Sequence, residues 1–301
     1  MFSLFKENLP RFVFAKRIAM VVVLVMFAAP SSDAGILTYD QDVSPDVIVG
    51  TNVANGGFTV DRSNGIEVGL RAKVRFNANN QAENTFNSNG DGSYTFEAGQ
   101  PAGTGFSFAP NSSSTAVWSF DWSINSNFGG VTDKKLDQYR YELAIDFNPA
   151  TAITPANVLT FDPINGPDPS NGQNWFDHAF GDNTTTEATR TVGNAGNYAG
   201  LITTKNVAQN SWNMEFFDVP TSTTYFFDAN VPGTFDISLS VFELGGLSPL
   251  PLASTQITVH STLSSASATV PEPASMLTFA GLGLCALGVR RKRRRSQADV
   301  R

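Results

Sequence analysis

Alternation of apolar and polar side chains recurs along the middle of this 301-residue chain, and it restricts that region to strands with one buried face. In IEVGLRAKVRF, Ile66, Val68, Leu70, Ala72, Val74 and Phe76 share one side, with Glu67, Arg71, Lys73 and Arg75 on the other. WSFDWSI sets Trp118, Phe120, Trp122 and Ile124 against Ser119, Asp121 and Ser123, and YRYELAIDF groups Tyr139, Tyr141, Leu143, Ile145 and Phe147. SWNMEFF adds another run. TFDISLSVF and LASTQITV, joined through the turn-forming GGLSPLP, read as a terminal antiparallel pair. Between the runs lie the turn clusters NSNGDGS, INGPDPSNGQN and GNAGN. No helical period of useful length falls between the two ends of the chain. The expected fold class is all-β: an antiparallel β-sandwich of jelly-roll type, flanked by an N-terminal signal helix and a C-terminal transmembrane helix.

Charge is distributed unevenly. Of 20 basic and 27 acidic side chains, the first 34 residues hold four and two, and the tail after Pro273 holds seven and one. That leaves 9 basic and 24 acidic side chains between Gly35 and Pro273. A surface so acidic repels phosphate backbones, so nucleic acid is not an expected partner. The single cysteine, Cys285, lies in the tail, which leaves the middle without disulfide, thiolate-zinc or cysteine-nucleophile chemistry.

The two ends explain the rest of the charge. Lys6, Arg11, Lys16 and Arg17 precede the apolar run Ile18–Ala29, and Ser32-Asp33-Ala34 offers small residues where a signal peptidase looks for them. Cleavage is expected between Ala34 and Gly35. At the other end Ala274–Val289 is uncharged and mostly apolar; as a helix its 16 residues span about 24 Å, slightly short of a bilayer core of about 30 Å. Snorkelling cations and local thinning close such a gap. Arg290, Arg291, Lys292, Arg293, Arg294 and Arg295 follow as a basic cluster that holds its side of the membrane in the cytoplasm. Residues 296–301 form the remaining cytoplasmic tail. Both charged flanks favour the cytoplasm, so residues 35–260 are expected to be an exported β-sandwich domain. The Ser/Thr-rich residues 261–270 are expected to be a flexible linker.

Val270-Pro271-Glu272-Pro273-Ala274-Ser275, the short apolar segment through Val289 and the cluster Arg290–Arg295 stand in an order that resembles the PEP-CTERM sorting signal of bacterial surface proteins. The resemblance covers about the last 30 residues, roughly residues 271–295. It implies a transient inner-membrane anchor that an exosortase, a membrane cysteine enzyme, cuts near Pro271, Glu272 and Pro273. The two prolines suit that role because they fix φ and keep the backbone out of a helix. The chain is then the substrate, and Cys285 is a small residue of the membrane segment. The β-rich middle is similar to domains that precede this signal elsewhere.

Searching the middle for chemistry yields only weak candidates. His178 stands in FDHAFGDN beside Asp177 and near Asp182, but zinc requires three or four protein ligands, so a polar loop residue is expected. His260 ends a strand with no partner in sequence. Asn87, Asn89, Asp91 and Gly92 imitate the start of a calcium loop, yet Ala98 stands where a bidentate glutamate belongs, so a hairpin turn is expected. The acidic loop Asp162–Asp168 leaves calcium open without locating it. Trp118, Phe120 and Trp122 form either a sugar platform or, as expected here, a core stripe. Arg71, Lys73 and Arg75 form a basic strand face that could meet an acidic polysaccharide, with a solvated face balanced by carboxylates as the expectation. Asp121 and the pair Glu142 and Asp146 are expected on solvent faces. They do not make the facing carboxylates of a glycosidase, and no nucleophile elbow or phosphate loop is present. No catalytic residue, metal or cofactor is expected.

The functional expectation is a surface-sorted structural or adhesive protein of the cell envelope, extracellular matrix or biofilm, and not an enzyme. Its partners are signal peptidase, an exosortase, the membrane before processing, and extracellular polysaccharide. An extracellular carbohydrate-binding module and a secreted polysaccharide hydrolase are the alternatives.

Overall fold

The computed structural model describes residues 35–75, 83–101, 114–148, 157–217, 225–246 and 248–263. The signal segment, the cleavage residue Ala34, the sorting motif, the apolar tail segment and the basic cluster lie outside them. Among the described residues no helix is long and apolar enough to cross a membrane.

The chain is mostly β. In order run β1 (Thr38–Gln41), β2 (Phe58–Ser63), β3 (Ile66–Val74), β4 (Ser93–Glu97), β5 (Trp118–Asn125) and β6 (Tyr139–Asp146). Then come β7 (Val158–Phe161), β8 (Ala179–Gly181), β9 (Thr191–Val192), helix α1 (Tyr198–Thr204), β10 (Val207–Trp212), β11 (Gly233–Glu243) and β12 (Ala253–Thr262). Seven strands form one sheet in the order β1-β2-β3-β5-β10-β8-β9, and five form a second in the order β4-β12-β11-β6-β7. β11 and β12 pair antiparallel with Ile237 opposite Ile257, as the terminal hairpin requires.

Four features depart from the expectation. β4 joins β12 in parallel, with Val259 opposite Tyr94, so the second sheet is mixed and not purely antiparallel. SWNMEFF is not one strand: β10 starts at Val207 and stops at Trp212, where Asn213 accepts from the Glu215 amide and opens a 3-10 turn over Met214–Phe216. The short helix α1 was not foreseen, because two turns bury only Tyr198 and Leu201, too few positions to show a 3.6-residue period. β12 also continues through Ser261 and Thr262, two residues into the segment expected as linker.

The sheets share one core. Ile66, Val68, Leu70, Trp118, Phe120, Trp122 and Ile124 of the first sheet meet Phe235, Ile237, Leu239, Val241, Ile257 and Val259 of the second. Trp118 lies 6.0 Å from Phe235 and stacks 6.3 Å from Phe96, centroid to centroid, so it joins both layers. The aromatic stripe of β5 is therefore core, as its pattern predicts.

The outer face of the first sheet carries the unexpected feature. β3 and β5 are buried on both sides because an irregular strap, residues 42–57, lies across them. Apolar contacts seat it: Val43 and Val47 pack on Phe58 and Val60, and Ile48 packs on Ala179 and Val207. An irregular segment cannot satisfy its own amides and carbonyls, so sheet side chains do it. Glu67 Oε1 accepts from the Ser44 amide at 2.6 Å, and Asn125 donates to the Ser44 carbonyl at 2.7 Å. Gln209 Oε1 accepts from the Ile48 amide at 2.7 Å.

Gly69 shows how close the strap lies: a Cβ there would come 2.7 Å from Val43 Cγ1 and 3.2 Å from Phe58 Cδ1. Gly69→Val is expected to lower stability by about 1–3 kcal/mol through overpacking and to expose residues 42–57 to proteolysis. Urea unfolding and the positions of protease nicks check both effects.

Candidate functional site

Arg71 and Asp121 face each other across β3 and β5 on the strap side of the sheet. Both are buried. Arg71 Nε donates to Asp121 Oδ2 at 2.9 Å, and Lys73 Nζ lies 3.5 Å from the same oxygen. Arg71 Nη1 donates to the carbonyls of Ala54 and Gly56 at 2.8 and 2.7 Å. Its guanidinium sits 4.2 Å from the Phe58 ring centroid and 4.5 Å from that of Phe86, a cation held between two aromatic faces. Burial pushes the Asp121 carboxyl up, but Lys73 and Arg71 outweigh it and hold it below its ordinary value. Arg75 pairs with buried Glu215, which also accepts from Thr115 Oγ1.

The basic strand face is thus not solvated, and no acidic polysaccharide can reach Arg71. Two other expectations change with it: Asp121 and Asp146 are buried, and only Glu142 of those three carboxylates stands substantially in solvent. The alternation was read correctly, but the polar side turns toward a covering segment and not toward water.

His178 is also corrected. It is fully buried, immediately before β8, and belongs to the core instead of a polar loop. Its ring lies 4.7 Å from Trp122 and 4.7 Å from Phe176, with Trp212 at 5.7 Å and Tyr198 at 6.0 Å. Nε2 is 2.7 Å from the Pro163 carbonyl, an acceptor only, so that nitrogen carries the proton. Nδ1 then accepts from Asn210 Nδ2 at 3.0 Å. The same amide nitrogen donates to Asp177 Oδ1 at 3.1 Å. Burial lowers the His178 pKa from 6.5 to about 4, against opposing effects of Pro163 and Asp177. The ring is neutral and structural at neutral pH, and it aims Asn210 at the carboxylate outside.

That carboxylate borders a cleft of about 210 Å³. The floor is Trp212, which tilts against Trp122 at 5.4 Å and meets Phe217 edge-on at 5.2 Å. One wall is Phe216 of the 3-10 turn, and another is Trp175, half-buried in the loop before His178. The rim is the turn that starts at Asp168, whose Oδ1 accepts from the Ser170 amide at 2.8 Å and whose Oδ2 accepts from Asn171 Nδ2 at 2.9 Å. Asn171 and Gln173 complete the polar lining. Among the described residues the lining includes two carboxylates, Asp168 and Asp177, and no Lys, Arg or His.

Elsewhere the structure places the sequence candidates apart. Asp182 accepts from Thr184 Oγ1 at 2.8 Å in its own turn and does not join His178. Asp91 accepts from the Ser93 amide at 2.9 Å and Asn89 donates to Ser93 and Thr95, the hydrogen bonding of a hairpin turn. Asp162 accepts from the amides of Ile164, Asn165 and Tyr141. His260 lies 3.3 Å from Thr234 Oγ1 on β11. Among the described residues no three His, Cys, Asp or Glu side chains converge. Trp175, Asn210 and Asn213 were missed. An aromatic pair set inside a polar turn cluster, NGQNWFDH, is the available signal for Trp175.

A family model of the PEP-CTERM protein-sorting motif matches residues 269–294. The chain carries a PEP-CTERM sorting motif. The match includes Pro271, Glu272 and Pro273 and ends within the arginine-rich cluster. The PEP-CTERM motif marks an exported protein that an exosortase sorts at a membrane. No curated protein and no solved structure matches the chain.

Two outcomes test this chemistry. Asp121→Ala strands two buried cations and should cost about 3–5 kcal/mol, whereas replacing Arg71 and Asp121 together by Met and Leu should cost less; urea unfolding measures both. For His178, the unfolded chain takes up a proton below pH 6.5 that the folded chain refuses until about pH 4. The neutral core ring therefore stabilises fully above pH 6.5, and this contribution falls by on the order of 3 kcal/mol as the pH drops to about 4. The stability gap between the parent chain and His178→Gln should narrow over that interval.

Proposed function

We propose that the chain is a structural or adhesive component of the cell envelope or extracellular matrix, without catalytic activity of its own. It is made with a cleavable signal, held briefly by its C-terminal apolar segment, and cut by an exosortase near Pro271-Glu272-Pro273. The observation that carries this reading is the sorting motif at residues 269–294. The geometry supports it, because the strongest charge constellation is spent inside the fold. Arg71 binds the strap and, with Lys73, pairs with Asp121, and His178 is a core residue with both ring nitrogens engaged.

β12 ends at Thr262 and the motif begins at residue 269. Six residues lie between, at most about 20 Å of chain. The domain therefore stays close to the membrane until it is cut. Intact mass and terminal peptides of the native protein from surface and medium fractions test the proposal. A chain starting at Gly35 and ending near Pro271-Glu272-Pro273 is expected. A chain that keeps Arg290–Arg295 would make the segment a permanent anchor and defeat the sorting mechanism.

A further inference from the structure

The geometry points to the cleft between Trp175 and Phe216 as a binding site for one neutral pyranose unit of a glycan chain. Its location differs from both places where the sequence suggested sugar contacts, since the β5 stripe is core and the basic strand face lies under the strap. The inference goes beyond sorting and does not depend on it.

Three observations carry it. First, the cleft joins flat apolar walls with carboxylate and amide groups at one mouth, and a pyranose needs that combination: C–H faces to lie on an indole and hydroxyls to hydrogen-bond around the ring edge. Trp175 is half-buried and, among the described residues, has no aromatic ring stacked on it, whereas Trp212 is packed into the core as a floor. Second, the polar groups are held in place before any ligand arrives. Asp177 is fixed by Asn210, itself 7% exposed and tied to His178, and Asp168 is fixed by the amides of its own turn. Groups held this way lose little freedom on binding. Third, among the described residues the lining holds two carboxylates and no Lys, Arg or His, and Arg75, 5.4 Å from the Phe216 ring, is paired with Glu215, in a region of net negative charge. That disfavours uronic acids, sulfated sugars and phosphates and favours a ring whose hydroxyls donate to Asp168 and Asp177. A volume of about 210 Å³ lies below the roughly 300–1,000 Å³ of drug-sized sites and suits one sugar unit.

The test uses the full chain purified in a sugar-free zwitterionic detergent. Cellohexaose, maltohexaose and mannohexaose serve as neutral probes and oligogalacturonate as the acidic one. Binding is read by tryptophan fluorescence and titration calorimetry. At least one neutral probe should shift the fluorescence at concentrations up to about 10 mM, and oligogalacturonate should not. Trp175→Ala should weaken that binding about tenfold or more, and Asp177→Asn about threefold or more, with unfolding midpoints near the parent's. If Trp175→Ala does not fold, Trp175→Phe and Gln173→Ala carry the test, each with a loss of about threefold or more. Silence from every neutral probe, binding unchanged in the folded variants, or preference for oligogalacturonate would each overturn the assignment. None of these outcomes depends on how the C-terminus is processed.

Discussion

Everything on the outer side of the seven-stranded sheet depends on one buried charge pair, Arg71 with Asp121. Without the strap, both would stand on an open face and contribute little, because water screens such pairs. Under the strap their desolvation is costly unless every group finds a partner. Lys73 adds a second cation beside Asp121, and the carbonyls of Ala54 and Gly56 take the protons of Arg71 Nη1, while among the described residues Arg71 Nη2, 2.8 Å from Asp121 Oδ2, and Asp121 Oδ1 have no hydrogen-bond partner. The pair stabilises the strap and the strap keeps the pair dry, so neither is separable from the other. A polar strand face is used here as a template for an irregular backbone, and regular pairing is left to the strand edges.

The same economy of polar groups shapes the cleft. His178, Asn210 and Asp177 run outward from the densest aromatic region to the surface, and only the last reaches solvent. The histidine needs no charge for this: a neutral ring with a fixed tautomer is the better positioning group, since it cannot lose its orientation by protonation near neutral pH. Burial makes it a poor acid or base and a good support.

Much of the fold was legible in the alternation. β3, β5, β6, β11 and β12 sit where the two-residue period places them, and their apolar sides form the core. What failed was the meaning of the polar side. Period alone says that Arg71, Lys73 and Asp121 point away from the core, but not that a segment sixteen residues long returns to cover them. The strap is rich in Val and Gly without a regular period, so nothing local marks it as buried. His178 failed for a related reason: its neighbours Asp177 and Asp182 suggested a wet loop, while Phe176 and Phe180, two residues away on either side, were the ones that share its environment. The sorting motif was legible because its physics is one-dimensional. A stiff Pro-Glu-Pro stretch, an apolar length and a charge block are properties of the chain and need no fold.

β12 gives the exported domain a mechanical character. It is flanked on both sides, by β11 in antiparallel register from Gly233 to Val241 and by β4 in parallel from Ser93 to Glu97, and six residues separate its end from the sorting motif. Tension applied along β12 from its C-terminal end acts on both neighbours. The load is shared at once between two ladders that must shear together, where an edge strand would have a single ladder to hold it. A strand held on both sides in this way resists being drawn out of the sheet by its C-terminal end.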